Sequence, residues 1–303
     1  MNDPTLKQLR YAVAVADHLH FGDAADAEFV SQPGLSSQIR ELERRLDAVL
    51  FERNRNGVRL TAAGAEVVAG ARQILSEVAN LRHATAALRG AVSGDLRVAA
   101  IPTMAPYVLP QAVELFASMW PEARLELAER QTEDVLRELR DFTLDLGLIA
   151  LPYDTGSLVV EAFHEEAFHL ALPTGHPLAK GESPLDIGVM NGLNVLLLED
   201  GHCLRDHALQ ACALGGEVTK RDVRDGSLTT LIQMVAVNAG VTLLPETSLP
   251  VEARHQARIT TRPFIPPTPG RTLALAWRPG DPRHQMFSDA AQRMTEAMTQ
   301  PSS

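Results

Sequence analysis

The chain has 303 residues and a formal net charge of −10, a length that suits about two domains, each burying its own core. The acidic balance excludes a broad nucleic-acid surface, so any DNA contact must come from a local site. No apolar run approaches the roughly 20 residues of a membrane helix, no secretory signal opens the chain, and two cysteines make no structural disulfide framework; the expectation is a cytoplasmic protein without membrane association, whose thiols rest reduced and whose disulfides are transient.

Leu6, Leu9, Val13 and Ala16 recur at helical spacing and predict a first amphipathic helix. Asp23 is placed to cap a short alanine-rich helix after it. In VSQPGLSSQIRELERRL, Ser31 reads as an N-cap and Pro33 falls in the first turn, where its missing N–H costs nothing. Leu35, Ile39, Leu42 and Leu46 share one face of that helix, and Pro33, Ser36, Ser37, Arg40 and Arg44 share the other. Two short helices joined by a tight turn form a helix-turn-helix whose second helix reads DNA. A merely solvated helix face would carry the same residues, and charge does not separate the readings, because residues 1–62 hold eight Lys/Arg against nine Asp/Glu. Arg53, Arg55 and Arg59 crowd into FERNRNGVRLTAAG, where Gly57 marks a turn; this reads as a wing whose arginines meet phosphates.

After Thr61 a long helix is expected to about Arg89. Val67, Ala71, Ile74, Val78, Leu81, Thr85 and Leu88 alternate four and three residues apart, a heptad seam. Packing on its own domain would give the same stripe, but beside a DNA-reading motif the seam points to dimerisation, since two-fold proteins read two-fold sites. Glycines in RGAVSGD then break the helix. LRVAAI, RLELAE and LDLGLIAL read as buried strands, with helices in QAVELFASMW and TEDVLRELRD. NVLLLED, VTKRDV, GVTLLPE and TLALAWRP continue the strands around a helix in SLTTLIQMVAVNAG. The plan is α/β with parallel sheets, two lobes joined by crossings near Glu161–Leu172 and Phe264–Leu275. A signal should enter the cleft between them, beyond the carboxyl ends of the strands.

Both cysteines fall in LLLEDGHCLRDHALQACALGG. Asp200 can cap a helix that puts Cys203 in its first turn, where the helix dipole, His202 and Arg205 should depress the thiol pKa. A thiolate attacks peroxide to give a sulfenic acid, which a second thiol can resolve into a disulfide. Two inert buried thiols would fit as well. So would a metal site of His202, Cys203, His207 and Cys212, although structural zinc sites space their cysteines more closely. In a helix, nine steps leave Cys203 and Cys212 on opposite faces, and Leu204, Ala208, Leu209 and Leu214 are expected to pack against the lobe.

FVSQPGLSSQIRELERRLDAVLFERNRNGVRLTAAG resembles the winged helix-turn-helix of the LysR-type transcriptional regulators; Gly34 departs from the alanine or threonine common there. The resemblance implies double-stranded promoter DNA as partner, met by Ser31, Gln32, Pro33, Ser36, Ser37 and Arg40, with Arg53 and Arg55 on phosphates. It implies a DNA-binding domain over 1–60 and a dimerising linker helix over 61–90. A two-lobed α/β regulatory domain over 91–303 follows, akin to periplasmic solute-binding proteins, with lobe I at about 91–164 and 270–303 and lobe II at about 165–269. LLEDGHCLRDHALQAC further resembles the redox motif of that family's hydrogen-peroxide-sensing branch. On that resemblance Cys203 is the peroxidatic residue and Cys212 the resolving one, with Thr103, Thr132, Arg271, His202 and Asp206 forming the peroxide pocket. His207 and the residues just before Cys212 depart from the commonest pattern. The implied protein is a bacterial, nucleoid-associated regulator of antioxidant genes rather than an enzyme: a homodimer or homotetramer that works with RNA polymerase and needs no cofactor or metal. The alternatives are a relative that takes an organic inducer in the cleft, and a thiol peroxidase, against which the DNA-reading segment argues.

Overall fold

The structure, a computed structural model, describes residues 3–54, 57–87, 94–199, 203–223, 226–254 and 256–299, and their side chains except those of 53, 54, 80 and 82–87. Its elements form two compact units, one ending with the long helix and one starting at the strand from Gly94.

The first unit contains α1 (Leu6–His18), α2 (Phe21–Ala27), α3 (Gln32–Leu46), β1 (Phe51–Asn54), β2 (Gly57–Leu60) and α4 (Ala62–Ala87). Thr5 and Gln8 close a reciprocal capping box on α1. α2 starts two residues before Asp23 because Phe21 is buried edge-on against Phe51, with ring centroids 6.0 Å apart. Its cap is therefore His20, whose Nδ1 accepts the Asp23 amide, and not Asp23. On α3, Ser31 accepts the Gly34 amide at 3.3 Å, and Leu35, Ile39 and Leu42 are buried as their spacing predicts. The two wing strands pair antiparallel, and the Glu43 carboxylate accepts the Leu50 and Phe51 amides, tying the wing to α3. Arg55 and the side chain of Arg53 lie outside the described residues. On α4, Val68 and Ala71 join the core of the unit, whereas Ile74 and Leu81 remain 46% and 69% exposed. The predicted seam thus splits: Val67 and Ala71 pack at home, and among its later described positions Val78 is half-buried while Ile74 and Leu81 are exposed. Leu88 and the side chain of Thr85 fall outside the described residues.

The second unit runs β3 (Gly94–Ala100), α5 (Ala105–Met119), β4 (Ala123–Glu129), α6 (Thr132–Arg140), β5 (Leu146–Leu151), β6 (Val159–Pro173), β7 (Asn194–Leu198), α7 (Cys203–Gly215), β8 (Thr219–Val223), α8 (Leu228–Ala236), β9 (Thr242–Pro245), α9 (Leu249–Glu252), β10 (Ile259–Arg262), β11 (Gly270–Trp277) and α10 (His284–Thr299). The main sheet has the order β10-β6-β11-β5-β3-β4, with β9 also paired to β6. It is mixed, not parallel throughout. β3 runs parallel to β4 and β5, but β11 is antiparallel to β5 and β6, and β6 is antiparallel to β9 and β10. The cause is β6, whose 15 residues serve both halves of the sheet; the chain then crosses back between β10 and β11. β4 is an edge strand with Leu127 48% exposed, so it is not the buried strand its sequence suggests. Among the described residues no helix is long and apolar enough to cross a membrane.

A buried ion cluster closes the β3–β5 end. Asp145 accepts Arg97 Nε at 3.0 Å and Arg283 Nη2 at 2.9 Å, and Asp281 pairs with Arg278 and Arg283. Burial alone would raise the Asp145 carboxyl; the Arg97 hydrogen bonds and the charges of Arg283 and Arg97 overcome it and hold the group well below the usual carboxylate range. A depressed carboxylate contributes stability above its unfolded pKa of about 4 and loses it as pH falls further. Asp145→Asn should therefore destabilise the second unit by about 3–5 kcal/mol, lowering Tm by roughly 10 °C at neutral pH. In thermal denaturation the gap to wild type should narrow as pH falls below about 4.

Candidate functional site

α7 follows the strand β7 and opens at Cys203 as described; Asp200, Gly201 and His202 lie outside the described residues. Cys203, Leu204, His207, Ala208, Ala211, Cys212 and Gly215 are its buried residues. At about 100° per residue they cover a half-turn of the helix, with Cys203 at one margin and Cys212 at the other. The thiols are thus on opposite sides, yet both are buried, at 3% and 1% exposure. Leu204 and Ala208 pack as expected, but Leu214, in the last turn of the helix, is 68% exposed although it falls within that arc. The two sulfurs lie about 13.5 Å apart along the axis, too far to share one metal ion while the helix stands. At the far end, a Cβ on Gly215 would come within 2.6 Å of the Ile187 carbonyl and 2.7 Å of Met190, so a side-chain-free residue lets the helix press onto that turn.

The expected low thiol pKa is not found. Burial pushes the Cys203 thiol up, and the Arg271 charge, the Thr132 hydroxyl and the Leu204 amide only partly offset it, while the Asp206 carboxylate adds to the rise. Arg205 is committed elsewhere: it donates to the Leu198 carbonyl at 3.0 Å and pairs with Asp222. Cys212 is pushed up by burial as well, opposed by the Lys220 ammonium.

Arg271 is the cation of the site. Its Nε donates to Glu166 Oε2 at 2.5 Å, and both side chains are fully buried. Its Nη1 donates to Thr103 Oγ1 at 2.7 Å and its Nη2 to the Thr103 carbonyl at 3.1 Å. Glu166 also accepts the Thr247 amide at 3.0 Å and the Thr247 hydroxyl. Arg271 and Glu166 are direct cross-strand partners on β11 and β6. The neighbouring Gly270 permits that register, since a Cβ there would sit 2.4 Å from the Glu166 carbonyl. Glu166 was not apparent from the sequence; the signal was a lone arginine inside an apolar strand, which requires a buried carboxylate.

Thr132, at the start of α6, turns its hydroxyl toward the Cys203 sulfur, and Oγ1 has no other partner among the described residues. His207, one helical turn after Cys203, bonds the Pro152 carbonyl through Nε2 at 3.2 Å, and its buried Nδ1 has no partner among the described residues. A carbonyl only accepts, so Nε2 carries the proton and Nδ1 is a bare acceptor. Burial, with the Arg271 charge in support, outweighs the Pro152 bond and the Asp206 and Glu166 carboxylates, and lowers the His207 pKa. The fold thus brings Cys203, Thr103, Thr132 and Arg271 together; Asp206 is exposed and acts through its charge alone, and Cys212 stands apart. Thr103 also lines a cavity of about 140 Å³ with Pro102, Tyr107, Glu129, Leu198 and Thr229.

In the first unit Gln32, Pro33, Ser37 and Arg40 are exposed along α3, Ser36 is half-buried, and Ser31 spends its hydroxyl on the cap. Arg44 and Arg45 are tied to Glu41, whose carboxyl their hydrogen bonds hold down to about 2.

Residues 6–65 match the family described as bacterial regulatory helix-turn-helix protein, lysR family, and residues 89–299 match the LysR substrate binding domain. The chain belongs to the LysR family. Members of the LysR family are transcription regulators, and this chain is one, not an enzyme. It is 40% identical over 296 residues to a probable hydrogen peroxide-inducible genes activator of Streptomyces viridosporus, covering 97% of this chain and 95% of that protein. A cysteine-to-aspartate variant of full-length OxyR from Pseudomonas aeruginosa superposes with a TM-score of 0.80 at 35% identity, over 96% of this chain and 94% of that one. A hydrogen-peroxide-bound cysteine-to-serine variant of Corynebacterium glutamicum OxyR gives a TM-score of 0.66 at 33% identity, over 98% and 93%.

Because the Thr132 hydroxyl favours the Cys203 thiolate, Thr132→Val should raise the thiol pKa and slow alkylation of Cys203 at neutral pH by about tenfold. Thr132→Ser should restore the rate. Equal alkylation rates in all three proteins would remove Thr132 from the site.

Proposed function

We propose that the chain is a promoter-binding regulator that senses hydrogen peroxide at Cys203, resolves the product with Cys212 and controls antioxidant genes. The observation that carries this reading is a buried thiol under the charge of a buried arginine, with the Thr132 hydroxyl turned to the sulfur and, among the described residues, no further partner for Thr132 Oγ1 or His207 Nδ1. Buried polar atoms are rarely left unpaired, and these leave hydrogen-bonding capacity for a small polar molecule. The likeness to peroxide-inducible activators and to a peroxide-bound OxyR supports the same reading. An organic inducer is disfavoured: the cavity beside Thr103 holds about 140 Å³, against the roughly 300–1,000 Å³ of ordinary ligand pockets.

In the proposed chemistry Cys203 sulfur attacks one peroxide oxygen, the O–O bond breaks, and its electron pair leaves on the other oxygen, which is protonated to water. Arg271 and the two threonine hydroxyls stabilise charge on the departing oxygen. Cys212 sulfur then attacks the Cys203 sulfenic acid; the S–S bond forms, the S–O bond breaks, and a second water leaves. One peroxide is reduced and two thiols are oxidised. A disulfide requires Cα atoms roughly 4.4–6.8 Å apart, so the second step requires α7 to open. His202 and Asp206 belong to this proposal as residues flanking the thiol. DNA is read by Ser31, Gln32, Pro33, Ser36, Ser37 and Arg40, with Arg53 and Arg55 on phosphates. Exposed Ile74 and Leu81 on α4 favour pairing with a second copy, giving a homodimer or homotetramer that acts with RNA polymerase in the bacterial cytoplasm. The working parts are a DNA-binding domain over 1–60, a linker over 61–90 and a sensor over 91–303.

Mass spectrometry with a dimedone-type trap tests the assignment. Under stoichiometric peroxide, Cys212→Ser should be trapped at Cys203 and form no intramolecular disulfide, while Cys203→Ser should be neither trapped nor bonded. Trapping at Cys212 with Cys203 spared would reverse the roles and sink the reading.

A further inference from the structure

The site holds a thiol that burial keeps protonated, so its proton must be taken up by another group as the sulfur attacks. We propose that His207 is the proton relay of the sensor, taking the Cys203 thiol proton at Nδ1 and giving it to the departing peroxide oxygen. This rests on the peroxide reading of Cys203 and goes beyond it.

Four buried side-chain atoms lack a partner among the described residues, and the two of them able to accept a proton or hydrogen bond are Thr132 Oγ1 and His207 Nδ1. His207 lies four residues after Cys203 on the buried face of α7, so the two side chains are neighbours one turn apart. Nδ1 and the sulfur share no hydrogen bond in this state of the protein; the two must close for the proton to pass. Its tautomer is set by the Pro152 carbonyl, 55 positions away in sequence, which holds Nε2–H and leaves the Nδ1 lone pair free.

The other groups around the imidazole do not serve. On α7 itself, Asp206 is exposed and lies off the buried face. On β6, Glu166 spends one oxygen on Arg271 and the other on Thr247. Arg271 on β11 is a permanent cation and accepts nothing. Tyr153, next to Pro152 and near Glu133, is held protonated by burial and by the carboxylates around it. The Thr132 hydroxyl accepts a hydrogen bond but is no base. His207, kept neutral by burial, is the base available at neutral pH.

The balance is simple. Nδ1 takes the proton from Cys203 Sγ; Sγ bonds the nearer peroxide oxygen; the O–O pair leaves on the farther oxygen; that oxygen takes the proton from Nδ1. Water departs, Cys203 is a sulfenic acid, and the imidazole is neutral again.

A lowered histidine pKa means that the base form is present at neutral pH and is lost only as pH falls below about 6.5. The rate of Cys203 sulfenic acid formation, followed by trapping in the full-length Cys212→Ser protein, should therefore be level around neutrality and fall in acid. Adding His207→Gln keeps a donor for the Pro152 carbonyl and removes the base. It should slow the reaction about a hundredfold at neutral pH, with the rate now rising in proportion to hydroxide. A rate lowered equally at every pH would mean a packing role, and an unchanged profile no role; either overturns the proposal. Nitrogen NMR of the unsubstituted protein is a second check: Nδ1 of His207 should be bare at neutral pH, and a protonated Nδ1 would also overturn it. If the Cys212→Ser parent forms no sulfenic acid at Cys203, the peroxide reading itself fails, a result distinct from either.

Discussion

Seven of the thirteen residues of α7 are buried, across a half-turn that begins at Cys203 and ends at Cys212. That arc constrains everything around the thiols. Each sulfur is pressed into a different flank of the lobe, so neither reaches the other while the helix stands. The C-terminal end is held where Gly215 meets Ile187 and Met190, and Arg205 ties the first turns to Leu198 and Asp222. Under the proposed function the segment has two incompatible packings, one helical and one disulfide-bonded, which makes it a bistable element of the kind that shifts a neighbouring interface. Exposing Leu204 alone costs about 1.5–3 kcal/mol, a size that covalent bond formation can offset.

Arg271 gives the site its second constraint. A fully buried guanidinium needs matched acceptors, and it has them in Glu166 and Thr103. The same contacts fix β11 against β6 at the point where the main sheet passes from one half to the other. One side chain therefore carries both architecture and electrostatics. Because burial keeps Cys203 protonated, the cation does not hold a standing thiolate. It lowers the cost of forming one when the proton has somewhere to go. A thiol with no standing charge and little exposure is shielded from bulky electrophiles, which suits a receptor for a small oxidant.

Much of this was legible in the sequence. Leu35, Ile39 and Leu42 repeat at helical spacing and pack as such, and β7 and β9 follow apolar runs bounded by turn residues. The LysR resemblance in residues 29–64 and 197–212 foretold the family that the whole chain matches. What failed was whatever depends on distant neighbours. The crossing expected near Glu161–Leu172 falls on β6 (Val159–Pro173), but the role of Glu166 inside it was hidden, because nothing nearby in sequence names Arg271 as its partner. The thiol pKa went the wrong way because local sequence names a helix terminus and nearby cations but not the loss of water. His207 looked like a departure from a pattern; its partner, Pro152, becomes visible only once β5 is laid beside α7. Asp23 was misplaced as a cap by less than one turn, which is the limit of periodicity without a core to set its phase.

The central claim is that the helical α7 and a Cys203–Cys212 disulfide exclude one another. Amide hydrogen exchange, read residue by residue in the full-length protein before and after stoichiometric peroxide, tests it most directly. Amides of His207–Gly215, whose acceptors lie within α7, should be protected in the reduced protein and lose that protection once the disulfide is confirmed by mass, while β3 and β5 keep theirs. A confirmed disulfide with α7 protection unchanged would contradict the account.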